Sequence, residues 1–562
     1  MAEATETALA CIREEVERAF SSAPGAVLEA TLSRIEPADE CARAAAYAAW
    51  DSIAHPLGGL GDFEDAVACI AAAQGSAEVA EFPRALAVFF SDNGIVAEGV
   101  SQSGQDVTRA VARNMCEGAT SACRMAAFAG AEVVPVDVGM ARGIEDARMV
   151  RANVRRGSGN IAHGPAMSRD GAVRAIEVGI AVACGLARAG VRLLAAGEMG
   201  IGNTTTSAAV AAVLIRADAR SLVGRGAGLS DASLARKRDV VERAIDANSP
   251  DPADPIDVLS KVGGFDIAAI CGFYLGAAAS KAPALLDGVI SCTAALCAAR
   301  LCPNALGYLV GTHASSEPAS QELLLELGIK APLDAGMHLG EGAGAMAYLP
   351  LLDSALRVYR DGKTFTATGM AAYEHFEAVK WTVTLVIGAA ASGKSAYAES
   401  LCLGHDGPRV YLATMEPFGE EGTRRIARHR ALREGKGFST LERTRDVGTA
   451  VPELPRGCTL LLEDVGNLVA NELFAEGGLS PRDPDAAARE VLGSIERLAQ
   501  AAAYTVVVTV DVFADGMRYD EGTEAWRRAL ARVNAGVAAL ADRAVEVVCG
   551  IPVWMKGEGP TR

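Results

Sequence analysis

The chain has 562 residues, 50% of them hydrophobic and only 5% aromatic, with a formal net charge of −17 at pH 7. That length exceeds what one hydrophobic core serves, so two or three domains are expected. The acidic balance excludes nucleic acid as the main partner, because phosphate backbones select basic surfaces, while small anionic substrates need only a local pocket.

The opening Met-Ala-Glu-Ala-Thr-Glu lacks the basic-then-apolar pattern of a signal peptide. The longest apolar run, Ile267 to Ser280, is short and broken by glycine, so no membrane span is expected and a cytoplasmic location is. Thirteen cysteines form no CxxC pair and seven histidines form no HxH or HExxH pattern. The cysteines read as small buried apolar residues, and no metal is expected beyond nucleotide-bound Mg²⁺.

In chain order, residues 1 to about 85 read as helical, with amphipathic stretches at Glu6 to Phe20 and Glu40 to Ala54. From Arg84 short apolar strands alternate with longer helices. Ala85 to Phe90 is a buried strand ending in Ser91-Asp92-Asn93-Gly94, and a helix over Val107 to Ala129 leads to a second strand, Glu132 to Val138. Further strands are predicted at Arg192 to Ala196 and Pro283 to Leu286. This alternation implies a parallel sheet covered on both faces, a Rossmann-like three-layer α/β domain with accessory helices, whose ligands bind at the carboxyl ends of the strands.

Three turns of this front domain carry polar groups among glycines: Gly197 to Thr206, Gly224 to Leu229, and Leu339 to Ala345. Hydroxyls and free N–H groups at a helix start make an anion site. The first turn contains Glu198 and the third Glu341, so the local chemistry points to a phosphate-containing small molecule with a carboxylate base.

An alanine-rich spacer, Ala371 to Val379, places the domain boundary near residue 378, and a second α/β unit begins at Trp381. The strand-like run Val383 to Ile387 leads into Gly388-Ala-Ala-Ala-Ser392-Gly393-Lys394-Ser395 and then a helix, Ala396 to Leu403. This is a full GxxxxGK[ST] phosphate loop in its required strand–loop–helix context. Backbone N–H groups would cradle phosphate oxygens, Lys394 would reach the terminal phosphates and the Ser395 hydroxyl would ligate Mg²⁺. A strand at Arg409 to Thr414 follows, then the basic run Arg424 to Arg430. The strand Cys458 to Asp464 ends in acids where a Walker B carboxylate, Glu463, would order the Mg²⁺ shell. The back domain is therefore expected to be a P-loop NTPase fold of RecA-like type spanning residues 379–562.

The front turns, together with Gly157 to Ser168, Val258 to Asp266 and Leu286 to Ser291, resemble nicotinate-nucleotide:dimethylbenzimidazole phosphoribosyltransferase from about residue 30 to 355. The resemblance implies nicotinate mononucleotide and 5,6-dimethylbenzimidazole as substrates, α-ribazole 5′-phosphate as product and no cofactor. Glu341 would be the base, and Glu198 the second carboxylate of the site. Gly202-Asn203-Thr204-Thr205 and the loop with Gly224, Gly226 and Gly228 would hold the ribose phosphate. The segment His55 to Glu64 and the turn Asp92-Asn93-Gly94 depart from the family's usual Lys-Pro-Pro-Gly-Ser-Leu-Gly-Arg-Leu-Glu and Asp-His-Gly. Adenine or a phenolic precursor thus stays open as the lower-ligand base. An ordinary diphosphate-using phosphoribosyltransferase would show two acids followed by Thr-Thr-Gly, which the chain lacks.

Residues 382 to 556 resemble adenosylcobinamide kinase/adenosylcobinamide-phosphate guanylyltransferase, on the phosphate loop, the Arg-His-Arg helix, the block Leu462 to Phe474, Arg532-Val-Asn534 and Gly550-Ile-Pro-Val. The resemblance makes His429 the nucleophile that takes GMP from GTP, with Arg425 and Arg430 neutralising phosphate charge, and adds adenosylcobinamide and GTP or ATP as ligands. The segment Val510 to Arg518 replaces the family's usual Asn-Glu-Val-Gly-x-Gly-Ile-Val-Pro turn. The expectation is thus a homo-oligomeric fusion of two cobalamin nucleotide-loop enzymes. The alternative is a phosphoribosyltransferase carrying a regulatory nucleotide-binding module.

Overall fold

Strand β1 (Arg84–Ser91), buried along its whole length, lies inside the front sheet of the computed structural model. The structure describes residues 2–80, 82–373, 382–405, 407–416, 435–474, 481–513, 517 and 519–557. The chain folds as two compact units, Met1–Tyr373 and Glu374–Arg562. The boundary expected near residue 378, with Trp381, lies outside the described residues.

The front sheet adds β2 (Ala131–Gly139), β3 (Val150–Arg151), β4 (Leu193–Met199), β5 (Ala284–Leu285) and β6 (Leu309–Val310) in the spatial order β3-β2-β1-β4-β5-β6. Every pairing is parallel. Successive β1 side chains point to opposite faces: Ala85, Ala87 and Phe89 enter one apolar cluster, and Leu86, Val88 and Phe90 the other. A strand buried on both sides reads as a continuous apolar run, as Ala85 to Phe90 does.

Helices Arg169–Arg188 and Phe265–Ala279 cover one face and cross in backbone contact. A Cβ at Gly179 would fall 1.8 Å from the Ala269 carbonyl oxygen, and one at Gly272 would fall 1.8 Å from that of Ile176. Only glycine at both positions lets the two helices approach so closely. Glu177, wholly buried on the first of these helices, accepts the N–H groups of Gly25 and Val27 at 2.9 and 3.0 Å and an Arg174 N–H at 3.0 Å, which docks the N-terminal helices. The opposite face carries helices Asp62–Gln74 and Ala343–Asp361, whose Phe63 and Tyr348 rings, the former just inside the helix start, stack at 5.5 Å.

Two sequence expectations change. The helix expected over Val107 to Ala129 is two helices, Asp106–Cys116 and Ser121–Phe128. Gly118, at φ +72°, turns the chain out of the first, and the Thr120 hydroxyl accepts the Cys123 N–H at 3.3 Å to begin the second. The expected strand Pro283 to Leu286 narrows to Ala284–Leu285, flanked by hydrogen bonds from the Leu194 N–H to the Pro283 carbonyl and from the Leu286 N–H to the Val310 carbonyl. The apolar run Ile267 to Ser280 is the buried helix Phe265–Ala279, and no helix among the described residues is long and apolar enough to cross a membrane.

The back sheet comprises β7 (Thr382–Ile387), β8 (Arg409–Ala413), β9 (Phe438–Glu442), β10 (Thr459–Glu463), β11 (Tyr504–Val508), β12 (Arg543–Val548) and β13 (Ile551–Lys556). Their order is β13-β12-β7-β11-β10-β8-β9, parallel except for the β12–β13 hairpin. Leu460, Leu462 and Val507 face one apolar layer, while Leu461, Val506 and Val508 face the other. Both units thus have the three-layer α/β architecture expected from the strand–helix alternation.

Candidate active sites

The carboxyl ends of the front strands open onto a cavity of about 360 Å³ lined by Glu198, Gly202, Asn203, Thr204, Gly226 and Glu341, among others. Three predicted positions lie just behind this wall. Thr205 is wholly buried, Gly224 packs against the Glu317 carboxylate, and Gly228 accepts a hydrogen bond from the Gln102 amide through its carbonyl.

Glu198 is the penultimate residue of β4, in register with Phe89 of β1. Its Oε2 accepts a hydrogen bond from the Asn203 amide, which also donates to Asp266 Oδ2 at 3.1 Å. Burial, reinforced by the Asp266 charge, pushes the Glu198 carboxyl up to about 8, and burial raises Asp266 to about 6. At neutral pH Glu198 is therefore mostly a neutral acid, able to donate a hydrogen bond.

Glu341 sits among glycines in the turn that enters helix Ala343–Asp361, at φ +59°. For a residue with a side chain this conformation costs on the order of 1 kcal/mol or more and is kept only where the surroundings fix it. The Glu341 N–H donates to the Glu198 carbonyl at 3.2 Å, and Asp287 accepts the N–H groups of Gly342, Gly344 and Ala345. Among the described residues Glu341 Oε2 is buried without a hydrogen-bond partner. Burial raises its pKa, while the Thr120 hydroxyl and the Ala122 N–H pull the other way. An under-bonded carboxylate at the cavity wall is a competent proton acceptor.

Behind the cavity wall at Thr204 the Lys237 ammonium, its side chain wholly buried, donates to Thr204 Oγ1 at 2.9 Å and to the Gly224 carbonyl at 3.0 Å. Burial depresses its pKa to about 8, against the opposing Glu317 charge. Glu317 Oε1 accepts the Gly226 N–H at 2.9 Å. This cation beside the start of helix Asn203–Ile215 suits an anionic group. Sequence reasoning did not single out Asp266, Asp287, Lys237 or Glu317. The two aspartates sit inside blocks that carried the resemblance, whereas nothing local marks the lysine and glutamate.

In the back unit the phosphate loop joins β7 to helix Lys394–Leu403, as its spacing requires. The Ser395 hydroxyl donates to Glu463 Oε1 at the end of β10, and the Tyr411 hydroxyl donates to Glu463 Oε2 at 2.9 Å. The β12–β13 turn braces the loop, with Gly550 N–H donating to the Ser392 carbonyl at 2.8 Å. Among the described residues Ser392 Oγ is buried without a partner, and Lys394 reaches only the Ala389 carbonyl, at 3.2 Å. Such spare donors, beside a hydroxyl–carboxylate pair, fit a nucleotide phosphate with Mg²⁺. His429, Arg425 and Arg430 lie outside the described residues, as do 514–516 and 518 of the replaced turn.

The model of the phosphoribosyltransferase family matches residues 35–370, more than half of the chain. The chain belongs to the phosphoribosyltransferase family. Residues 384–555 match the model described as cobinamide kinase / cobinamide phosphate guanyltransferase, so the protein is a fusion of a phosphoribosyltransferase with a second cobalamin-assembly unit. Similar proteins include the nicotinate-nucleotide–dimethylbenzimidazole phosphoribosyltransferase of Acetivibrio thermocellus, 46% identical over 315 residues, which are 56% of this chain and 90% of the relative. The enzyme of that name from Salinispora tropica is 41% identical over 361 residues, covering 61% of this chain and 99% of its own. The crystal structure of CobT from Thermus thermophilus matches with a TM-score of 0.57 at 36% identity, covering 59% of this chain and 99% of that one.

The buried acid of this phosphoribosyltransferase unit has a measurable consequence. Folded Glu198 keeps its proton up to about pH 8, whereas an unfolded glutamate releases it near 4.5. The folded state binds the extra proton in that window, so stability falls as pH rises through it, by up to about 1.4 kcal/mol per pH unit. Glu198→Gln should therefore melt above wild type at pH 8 and close to it at pH 5. Parallel melting curves across that range would contradict the assignment.

Proposed function

We propose that the front unit transfers the phosphoribosyl group of nicotinate mononucleotide to 5,6-dimethylbenzimidazole or an analogous lower-ligand base. The observation that carries this reading is the under-bonded Glu341 carboxylate, which shares one cavity with Glu198, Asn203 and the helix start at Gly202. One ring nitrogen of the base attacks the anomeric carbon, and the bond to nicotinate breaks with its electron pair returning to the pyridinium nitrogen. The configuration inverts from β to α, giving α-ribazole 5′-phosphate. Glu341 takes the proton from the second ring nitrogen. Neutral Glu198, fixed by Asn203, orients the reactants by hydrogen bonding, and the turn Gly202 to Thr205 with the loop Gly224 to Gly228 receives the ribose phosphate.

The back unit phosphorylates adenosylcobinamide and then guanylylates the product, which supplies the partner that α-ribazole phosphate needs. The phosphate loop Gly388 to Ser395 holds GTP or ATP, with Ser395 and Glu463 placed to hold Mg²⁺, which supplies charge neutralisation when bound. A neutral His429 imidazole attacks the α-phosphorus of GTP, pyrophosphate leaves, and the phosphoramidate passes GMP to adenosylcobinamide phosphate. Arg425 and Arg430 neutralise phosphate charge during both steps. The enzyme is placed in the cytoplasm, and the resemblance makes it a homo-oligomer.

Glu341→Ala should lower kcat of the front reaction on the order of 10²–10⁴-fold, the usual worth of a general base, with mononucleotide binding little changed. Steady-state kinetics with a separate binding titration checks this, and near-wild-type turnover would remove Glu341 from the role. For the back unit, incubation with GTP labelled at the α-phosphate should leave acid-labile label on wild type and none on His429→Ala. Equal label on both, or none on wild type, would overturn the covalent role of His429, and none on wild type would favour a regulatory nucleotide-binding module.

A further inference from the structure

Asp287 takes no part in the chemistry just described, yet it holds the peptide that carries Glu341. It lies immediately beyond β5, 3% exposed, on a segment fixed from several sides. The Asp287 N–H donates to Ser291 Oγ at 3.1 Å, and that hydroxyl is bonded to the buried Tyr274 hydroxyl. The preceding Leu286 donates to the Val310 carbonyl at 2.9 Å and accepts from the Thr312 hydroxyl at 2.5 Å.

From this anchored position Oδ2 accepts the Gly342 N–H at 3.1 Å, while Oδ1 accepts those of Gly344 and Ala345 at 2.8 and 3.2 Å. These are the free N–H groups at the start of helix Ala343–Asp361, whose own N-cap, Gly342, has no side chain to satisfy them. The cap thus comes from a residue 55 positions away in sequence. The peptide it holds needs the support. Gly340, Glu341 and Gly342 all lie in the left-handed region, at φ +80°, +59° and +81°. Gly344 is packed so closely that a Cβ there would fall 1.9 Å from the His313 ring.

We propose that Asp287 is the positioning residue of the front site: capping helix Ala343–Asp361 from beyond β5, it holds Glu341 in its left-handed conformation and sets a negative charge beside it. This rests on the reading of Glu341 as the base. The charged and titratable groups around the Glu341 side of the cavity are Glu198 on β4, His313 beyond β6, His338 in the loop before Glu341, and Asp287 itself. Behind Glu198 lies Asp266, and the Thr120 hydroxyl and Ala122 N–H approach from the start of helix Ser121–Phe128. Among the ionised groups it is Asp287 that raises the pKa of Glu341.

The test compares wild type, Asp287→Asn, Asp287→Ser and Glu341→Ala, each verified as folded by thermal melting, in the front reaction over a range of pH. Both Asp287 variants remove the charge; asparagine keeps the shape, and serine keeps one acceptor. Each should lose kcat on the order of 10²-fold, the scale of a misplaced reacting group, with KM for the mononucleotide nearly unchanged. The acidic limb of kcat/KM should move to lower pH, because Glu341 loses the neighbouring negative charge. A folded variant with wild-type kcat and an unmoved limb overturns the proposal, as does a loss confined to KM. Failure of both variants to fold would make Asp287 a stability residue and overturn it equally. Wild-type turnover in Glu341→Ala would instead refute the base assignment beneath it.

Discussion

Carboxyl groups buried at the carboxyl ends of parallel strands are the constraint on which the front half of this protein depends. Glu198, Asp266 and Glu341 all have raised pKa values, with burial the largest cause in each case. An acid kept from water either retains its proton or is held by donors, and this site uses both outcomes. Glu198 and Asp266 share one asparagine amide, whose hydrogen bonds favour the ionised forms, but burial and the Asp266 charge outweigh it and leave Glu198 neutral near pH 7. Asp287 is instead satisfied by backbone N–H groups at a helix start. Glu341 falls between these extremes, with one oxygen unsatisfied, and so remains available to take a proton.

The sheet makes this arrangement possible. Burial on both faces leaves β1 apolar from Ala85 to Phe90, and the same holds for β4 up to Glu198. The polar chemistry is then confined to the turns. The helices behind them are packed in close backbone contact at Gly179 and Gly272. In the back unit the same logic is simpler. A hydroxyl and an acid from adjacent elements, Ser395 and Glu463, meet at the phosphate loop.

Much of this was legible in the chain. β1 and β2, the phosphate loop and its flanking strand and helix follow from apolar runs and a spaced glycine motif, which are local signals. Glu198, Asn203 and Glu341 stand out because each lies among glycines in a turn. Other features depend on distant partners. The break at Gly118 interrupts an alanine-rich stretch whose helical pattern continues through it, so only the left-handed glycine and the Thr120 cap reveal it. The cap on helix Ala343–Asp361 comes from Asp287, 55 positions away in sequence. Lys237 and Glu317 meet at the Gly224 to Gly228 loop from separate segments, a juxtaposition no sequence window contains.

The most direct measurement is the identity and configuration of the front product. The full chain, supplied with nicotinate mononucleotide and 5,6-dimethylbenzimidazole, should release one nicotinate for each ribazole 5′-phosphate formed. Nuclear magnetic resonance of the anomeric proton should show the α configuration, from inversion in a single displacement. A β-configured product, or mononucleotide consumed without transfer to the base or any offered analogue, would contradict the account.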